Sequence, residues 1–153
     1  MFWRNMRKED FIWEMWHLTR ELQRSRMDLC MDFCKKFNLT QQQVRILLQI
    51  RNLEKTTLTE LAGDLGINPG NLSKTCKEIE ENGFIKRFRN GDDKRVWTIE
   101  LDERGVQVTD LVVDHVQEVF SSFSSKHDSE ALESFLGFLR EYVQFYRDIL
   151  KRK

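Results

Sequence analysis

The sequence predicts a mainly α (α+β) protein in which long helical segments at both ends flank a compact middle. One proline and seven glycines are few for 153 residues, and this scarcity favours helix. The breaks are concentrated, because five of these eight residues lie between positions 66 and 91. On either side of that stretch, apolar residues recur at helical spacing. The middle is therefore expected to hold the turns and strands.

Charge and composition exclude several classes of protein. The 25 Lys and Arg residues are balanced by 25 Asp and Glu residues, and 40% of the chain is apolar. This excludes a disordered tail and a uniformly basic coat protein, so any affinity for nucleic acid must come from a local patch. No apolar run reaches the ~20 residues that span a bilayer, and three cysteines make no disulfide framework. We expect a cytoplasmic protein without a membrane segment.

Helix-capping patterns divide the region after an N-terminal helix, which is predicted from Glu9 to Phe37. Thr40 and Gln43 form a capping box, which predicts a helix from Gln41 to about Arg51. A second capping box, formed by Thr57 and Glu60, begins a helix of about two turns that ends at Gly66.

A longer helix follows after three residues. Asn68 is its predicted N-cap, Pro69 takes the first helical position and Gly83 closes it. A short helix, a turn containing glycine and a longer helix form the helix-turn-helix plan. Opposite the apolar stripe of the longer helix lie small, polar and cationic residues that suit a DNA major groove, although a solvated helix face would look similar: Gly70, Asn71, Ser73, Lys74, Lys77 and Glu81.

A β-hairpin is predicted directly after this helix. Its strands are Phe84 to Arg89 and Val96 to Leu101, and Asn90-Gly91-Asp92 supplies the turn. Basic residues outnumber the two aspartates of the hairpin, whereas the helix beyond it is acidic. The balanced total therefore conceals a basic hairpin whose cations are Lys86, Arg87, Arg89, Lys94 and Arg95.

A helix-turn-helix followed by a basic hairpin is a winged helix-turn-helix, and the sequence here resembles the MarR family of bacterial transcriptional regulators. Residues 58–87 and the wing, residues 91–105, carry the resemblance. Asp93-Lys94-Arg95 is similar to the Asp-x-Arg signature of the family's wing, and Leu101 to Gly105 resembles its Leu-Thr-x-x-Gly segment. The sequence departs from that segment at Asp102, which replaces a common threonine and can still cap a helix.

The resemblance implies how the wing would meet DNA. In the family the wing arginine enters the minor groove and the aspartate two residues earlier holds the wing's shape, which corresponds to Arg95 and Asp93. A narrow minor groove attracts arginine, although a simple ion pair between the two residues is compatible with both roles. The expected DNA-binding residues are Asn68, Asn71, Ser73, Lys74, Lys77, Arg89, Asp93, Lys94 and Arg95.

Apolar residues at both ends exceed what one chain of this length could cover. We therefore assign residues 1–38 and 104–153 to a helical dimerisation region, with long N- and C-terminal dimerisation helices, and residues 39–103 to a DNA-binding lobe. The resemblance implies a homodimer that binds a pseudo-palindromic operator on double-stranded DNA. It further implies a repressor that a small-molecule effector could release.

Candidate effector and sensor residues lie in the N-terminal helix. Trp13, Trp16 and His17 could line an effector pocket, although helix packing is the simpler interpretation of the two tryptophans. Cys30 and Cys34, spaced i and i+4, could hold zinc or form a redox pair, but their apolar neighbours favour core packing. We expect neither a bound metal nor a cofactor.

Enzymatic function is not expected. The sequence contains no glycine-rich phosphate loop, no GxSxG and no HExxH motif, and its adjacent carboxylates lie on a turn and at a solvated helix end. One further alternative is a winged helix that has become a protein-interaction module, since not every winged helix binds DNA.

Overall fold

The computed structural model describes residues 7–89 and 97–151. Two compact units divide the chain, one up to Val112 and the other from Val113 onward. The prediction of a mainly helical winged helix-turn-helix is confirmed. In chain order the elements are α1 (Lys8–Asp28), α2 (Met31–Phe37), α3 (Gln41–Leu53), β1 (Thr56–Thr57), α4 (Leu58–Leu65), α5 (Pro69–Glu81), β2 (Ile85–Arg89), β3 (Trp97–Leu101), α6 (Glu103–Ser124) and α7 (Ser129–Lys151).

The N-terminal segment differs from the predicted single helix. It is interrupted after Asp28 and resumes at Met31 as α2. At the break the Cys30 amide donates to the Met27 carbonyl at 3.0 Å, a bond three residues back instead of four. The second apolar stripe can therefore continue on a separate helix, and Cys34 of that helix is buried in the core.

Both capping boxes form as predicted. The Thr40 hydroxyl accepts from the Gln43 amide at 3.1 Å, and the Gln43 side chain accepts from the Thr40 amide at 2.9 Å. Thr57 and Glu60 repeat the arrangement at 3.2 and 2.9 Å. Each box satisfies amides that a helix start leaves without intrahelical partners, which is why α3 and α4 begin at these residues.

The three strands form one antiparallel sheet in the order β1-β3-β2. The sequence did not predict β1, because two residues are too few to produce a strand pattern. In the hairpin, Arg89 lies opposite Trp97 and Arg87 opposite Ile99. β2 begins one residue later than predicted, because the Phe84 carbonyl accepts instead from the amide of Asp102 at 3.0 Å.

The core of the first unit lies among α3, α4, α5, the sheet and the start of α6. Gly105 makes this packing possible, since a Cβ atom there would lie 2.0 Å from the Phe84 carbonyl oxygen. The first turn of α6 can therefore approach the backbone directly after α5. The largest fully buried side chains include Ile46, Leu47, Ile50, Leu61, Leu72, Ile79, Phe84, Ile85 and Ile99.

The second unit buries far fewer of its side chains than the first. None of the described residues of α7 is buried, although that helix carries many large apolar side chains. No helix within residues 7–89 and 97–151 is both long and apolar enough to cross a membrane. The exposed apolar residues of α7 are Phe135, Leu136, Phe138, Val143, Phe145, Tyr146, Ile149 and Leu150.

Candidate nucleic-acid interface

The turn between α4 and α5 is fixed by its own backbone. Gly66 has φ 65°, the left-handed conformation that ends α4, and the Ile67 amide donates to the Ala62 carbonyl at 3.0 Å. The side-chain Oδ1 of Asn68 then caps α5 by accepting from the Gly70 amide at 2.9 Å. Asn68 is therefore used as a helix cap, so any contact it makes with DNA must use its amide nitrogen or its backbone.

The outward face of α5 is polar and cationic as predicted. Asn71, Lys74 and Lys77 are exposed and Ser73 is half-buried, so one helix presents all four. The opposite stripe of Leu72, Cys76 and Ile79 is fully buried. Lys77 also lies 3.7 Å from Glu81, in an exposed i,i+4 pair that leaves the ammonium accessible to solvent.

The basic hairpin is partly neutralised by neighbours that the sequence did not reveal. Arg87 is half-buried and pairs with Glu80 of α5, whose carboxylate also accepts from the Arg87 backbone amide at 3.2 Å. Lys86 lies 2.9 Å from the Asp102 carboxylate. Two of the five predicted wing cations are therefore structural, and they tie the hairpin to α5 and to the start of α6.

The electrostatics of the second pair follow from its hydrogen bonds. The Lys86 ammonium, together with the Glu103 backbone amide, lowers the pKa of Asp102 below its ordinary value. In return, the hydrogen bond from Lys86 to Asp102 and the attraction between their charges raise the pKa of Lys86. Both groups are charged near neutral pH.

At the end of β2, Arg89 is exposed and its guanidinium lies 5.1 Å from the ring centroid of Trp97. The Arg87 guanidinium lies 5.4 Å from the same ring. In the sequence, Trp97 is recognisable only as a strand residue. The signal that could have identified it was its position opposite Arg89 in the hairpin register. The predicted wing residues Asp93, Lys94 and Arg95 lie outside the described residues.

The predicted effector residues lie together on α1. Trp13 and Trp16 are 68% and 60% exposed and contact edge to face, with ring centroids 5.8 Å apart. With His17, they line an open cavity of about 900 Å³ along α1. A second cavity of about 480 Å³, which the sequence did not predict, lies between α1, α3 and α4 and is lined in part by Arg26, Arg45 and Asp64.

The cysteines have the properties of core residues. Cys30, Cys34 and Cys76 are all buried free thiols. Burial raises the pKa of each one, and for Cys76 it does so to about 11. Since the thiolate is the reactive form, a raised pKa makes these sulfurs poor nucleophiles. Within the described residues, no group of three or more His, Cys, Asp or Glu side chains could hold a metal ion.

Comparison with known proteins gives the family of this fold. The sequence model of the MarR family matches residues 39–97, a range that runs from just before α3 to the first residue of β3. Residues 39–97 therefore match a MarR-family domain. The predictions of the family and of a transcriptional regulator instead of an enzyme are thereby confirmed.

Curated relatives bear regulator names. The chain is 26% identical over 98 residues to the HTH-type transcriptional regulator SarZ of Staphylococcus haemolyticus, an alignment covering 64% of this chain and 67% of the relative. It is 29% identical over 93 residues to SarZ of Staphylococcus epidermidis, an alignment covering 61% of this chain and 63% of the relative. A third relative, an uncharacterised HTH-type regulator of Bacillus cereus, is 36% identical over 74 residues, 48% of each chain. The chain therefore spans about two thirds or less of these relatives.

Solved structures match over most of the chain. A cysteine-to-serine variant of E. coli MarR in complex with operator DNA has a TM-score of 0.69 at 18% identity, and the match covers 90% of this chain and 99% of that one. A MepR variant from S. aureus reaches 0.73 at 17% identity, with 85% and 95% covered. At these identities the likeness establishes the fold.

Proposed function

We propose that the protein is a MarR-type regulator that binds double-stranded operator DNA as a homodimer, with α5 in the major groove. The observation that carries this proposal is the division of α5 into two faces. Leu72, Cys76 and Ile79 are fully buried, so the helix cannot rotate, and its exposed face offers Asn71, Lys74 and Lys77 to a partner. Amide and ammonium groups are suited to base edges and phosphates.

The position of α5 supports the same proposal. Its N-terminus is capped by Asn68 and begins directly after a tight turn, and a helix N-terminus favours phosphate. Its C-terminal half is joined to the hairpin by Glu80 and Arg87. Because the groove-reading helix and the wing are already held together, both could bind one stretch of duplex with little loss of conformational entropy. The related E. coli MarR variant was solved with operator DNA.

Homodimerisation is supported by the exposed apolar side chains of three helices. Trp13 and Trp16 on α1, Phe120 on α6 and Phe145 on α7 are each more than half exposed. A soluble monomer rarely exposes such large apolar surfaces, and a second copy would cover the same residues on both chains. Two copies would present two α5 helices to a pseudo-palindromic site.

For the remaining wing and sensor residues we propose the following. Arg95, oriented by Asp93 and assisted by Lys94, would enter the minor groove, as the family resemblance implies. Repression and release by a small-molecule effector belong to the same proposal, with Trp13, Trp16 and His17 as contact residues. Cys30 and Cys34 serve as core residues in this proposal, because their buried thiols have raised pKa values.

A mobility-shift experiment tests the proposal. Duplexes are first selected from a random library with the wild-type protein and then titrated at two salt concentrations. Lys77→Ala should weaken selected and unselected DNA alike and reduce the salt slope by about one unit per half-site, because it removes one phosphate contact. Arg95→Ala should lose about 5- to 100-fold in affinity on selected sites with A·T-rich flanks and less on G·C-rich flanks.

Lys126→Ala is the matched control. Lys126 is an exposed lysine between α6 and α7, outside the proposed interface, and its removal should leave affinity unchanged. Failure of the wild-type protein to enrich or bind any duplex would refute the DNA-binding proposal and favour a protein-interaction module. Equal losses for Arg95→Ala on both kinds of flank would refute the minor-groove role alone.

A further inference from the structure

Trp97 occupies an unusual position for an aromatic residue of its size. It is the first residue of β3 and is 38% exposed. In the hairpin register it lies opposite Arg89, and Ile99, the next residue on the same face, is fully buried opposite Arg87. The indole is therefore at the point where the sheet leaves the core.

Two guanidinium groups lie near this indole, and their surroundings differ. Arg87 is paired with Glu80, and its side chain is only 15% exposed. Arg89, by contrast, is exposed. Of these two guanidinium groups, Arg89 is therefore the more accessible to an external anion.

Stacking on a ring leaves the chemistry of a guanidinium intact. The planar group contacts an aromatic ring with its face, and its N–H donors point outward along its edge, where they can bind a phosphate with two parallel hydrogen bonds. An arginine that is already held on a ring also loses less side-chain entropy when it binds. An isolated exposed arginine has neither advantage.

We propose that Trp97 is a positioning residue for DNA binding, which holds the Arg89 guanidinium for a phosphate beside the wing. This inference rests on the proposed function and adds to it a residue that does not itself touch DNA. The arrangement also connects the contact to α5, since Arg87 joins the same ring to Glu80. The register of the wing phosphate contact is thereby fixed relative to the groove-reading helix.

A double-mutant cycle on DNA affinity tests this role. Trp97→Val should weaken binding of the selected duplex about threefold to tenfold, which is the range expected for one cation–π contact and one side chain that must be reordered. In an Arg89→Ala background the same change should have an effect of less than about twofold. Trp97→Phe, which keeps a ring, should recover most of the affinity.

Phe88→Leu is the matched control in the same hairpin. Phe88 is the residue next to Arg89 in β2, and its ring lies 4.9 Å from the Lys55 ammonium. The substitution therefore removes a different ring from the same strand and should leave DNA affinity unchanged. Urea unfolding of every variant separates a loss of folded protein from a loss of affinity. Equal effects of Trp97→Val with and without Arg89 would overturn the inference.

A further variant tests the inference without altering Trp97. Arg89→Lys keeps the charge but loses the planar group, so its affinity should fall close to that of Arg89→Ala. Wild-type affinity for Arg89→Lys would mean that charge alone matters and would overturn the positioning role. If the wild-type protein binds no duplex, the proposed function itself fails. If the protein binds DNA but the effects of Trp97→Val and Arg89→Ala are additive, only the positioning role of Trp97 fails.

Discussion

The lobe that contains α3 to β3 and the helix α7 differ in how they place their large apolar side chains. In the lobe, Leu47, Leu61, Leu72 and Ile99 are fully buried. Along α7, which carries apolar side chains of the same size, no described residue is buried. Since burial of apolar area is the main driving force of folding, the lobe has satisfied this requirement within one chain and α7 has not. Under the proposed homodimer, the lobe would fold within one chain and α7 would bury its apolar face by assembly.

The largest expected effect comes from a charge on α7. Phe145 is 59% exposed, so Phe145→Glu should be harmless if that face meets water in the native protein. If a second copy covers it, the buried carboxylate should dissociate the dimer, with a dissociation constant raised more than about 100-fold. Sedimentation velocity over a range of protein concentrations measures the change.

Deletion of residues 129–153 is the companion to that variant and should give monomer or aggregate. Thr59→Glu, which adds a charge at an exposed site of α4, is the control and should remain dimeric. A wild-type sedimentation coefficient for both the Phe145 variant and the truncation would remove the distinction between a lobe that folds and a helix that assembles.

The next largest effect compares two glycines. Gly105→Ala places a Cβ atom 2.0 Å from the Phe84 carbonyl oxygen, so the start of α6 must move, and the free energy of unfolding should fall by about 3 kcal/mol or more. Gly137→Ala on α7 has no neighbouring atom within 4 Å and should raise helix stability by up to about 1 kcal/mol. Thermal and urea unfolding measure both values. If Gly105→Ala changed the free energy of unfolding as little as Gly137→Ala, that result would contradict the tight packing of the lobe.

A third prediction concerns the three thiols buried in the core. Because burial raises their pKa values, Cys30, Cys34 and Cys76 should react with a disulfide reagent far more slowly in the native protein than in urea. A Cys30→Ser, Cys34→Ser variant should lose about 1–3 kcal/mol of stability, owing to two buried hydroxyls, and keep its DNA affinity. Loss of a peroxide or zinc response in that variant, with binding intact, would instead assign a sensor role to the pair.

The smallest effect is electrostatic and depends on pH. The pKa of Asp102 is lowered, so its contribution to stability is present above the ordinary value of 3.8 and disappears as pH falls through the lowered value. The pKa of Lys86 is raised, so its contribution is present below 10.5 and is lost as pH rises through the raised value. Lys86→Met should therefore lower the urea midpoint slightly at pH 7, and by less and less as the pH falls through the lowered pKa of Asp102. A deficit that stays the same over that acid range would show that packing of the lysine chain is responsible.

The sequence predicted the parts of this molecule that depend on local chemistry. Capping boxes at Thr40 and Thr57 and the cap at Asn68 are decided within four residues, and all three form. Features that depend on residues distant in sequence were not predictable from such patterns. The break before α2 depends on which face meets the core, and β1 exists because Thr56 pairs with Ile99.

The same distinction separates the two halves of the candidate site. The polar face of α5 follows from helical periodicity alone, and Lys74 and Lys77 are exposed as predicted. For the wing, the sequence predicted only an excess of positive charge. It did not predict which of the cations form ion pairs within the protein. Arg87 is bound to Glu80 seven residues earlier, and Trp97 acquires its neighbours only through the hairpin register.

The close approach of Gly105 to Phe84 also affects how well the lobe would tolerate insertions in the hairpin. Phe84 and Asp102 are joined backbone to backbone at 3.0 Å, so the two ends of the β2–β3 hairpin are held together. For a flexible loop whose ends are held in this way, doubling the number of residues costs only about 0.6 kcal/mol in closure entropy. Insertions between Arg89 and Trp97 would alter contacts with a partner while α5 and α6 keep their places. The segment between β2 and β3 is thus a position where added residues would cost the fold little, and a suitable site for an engineered insertion.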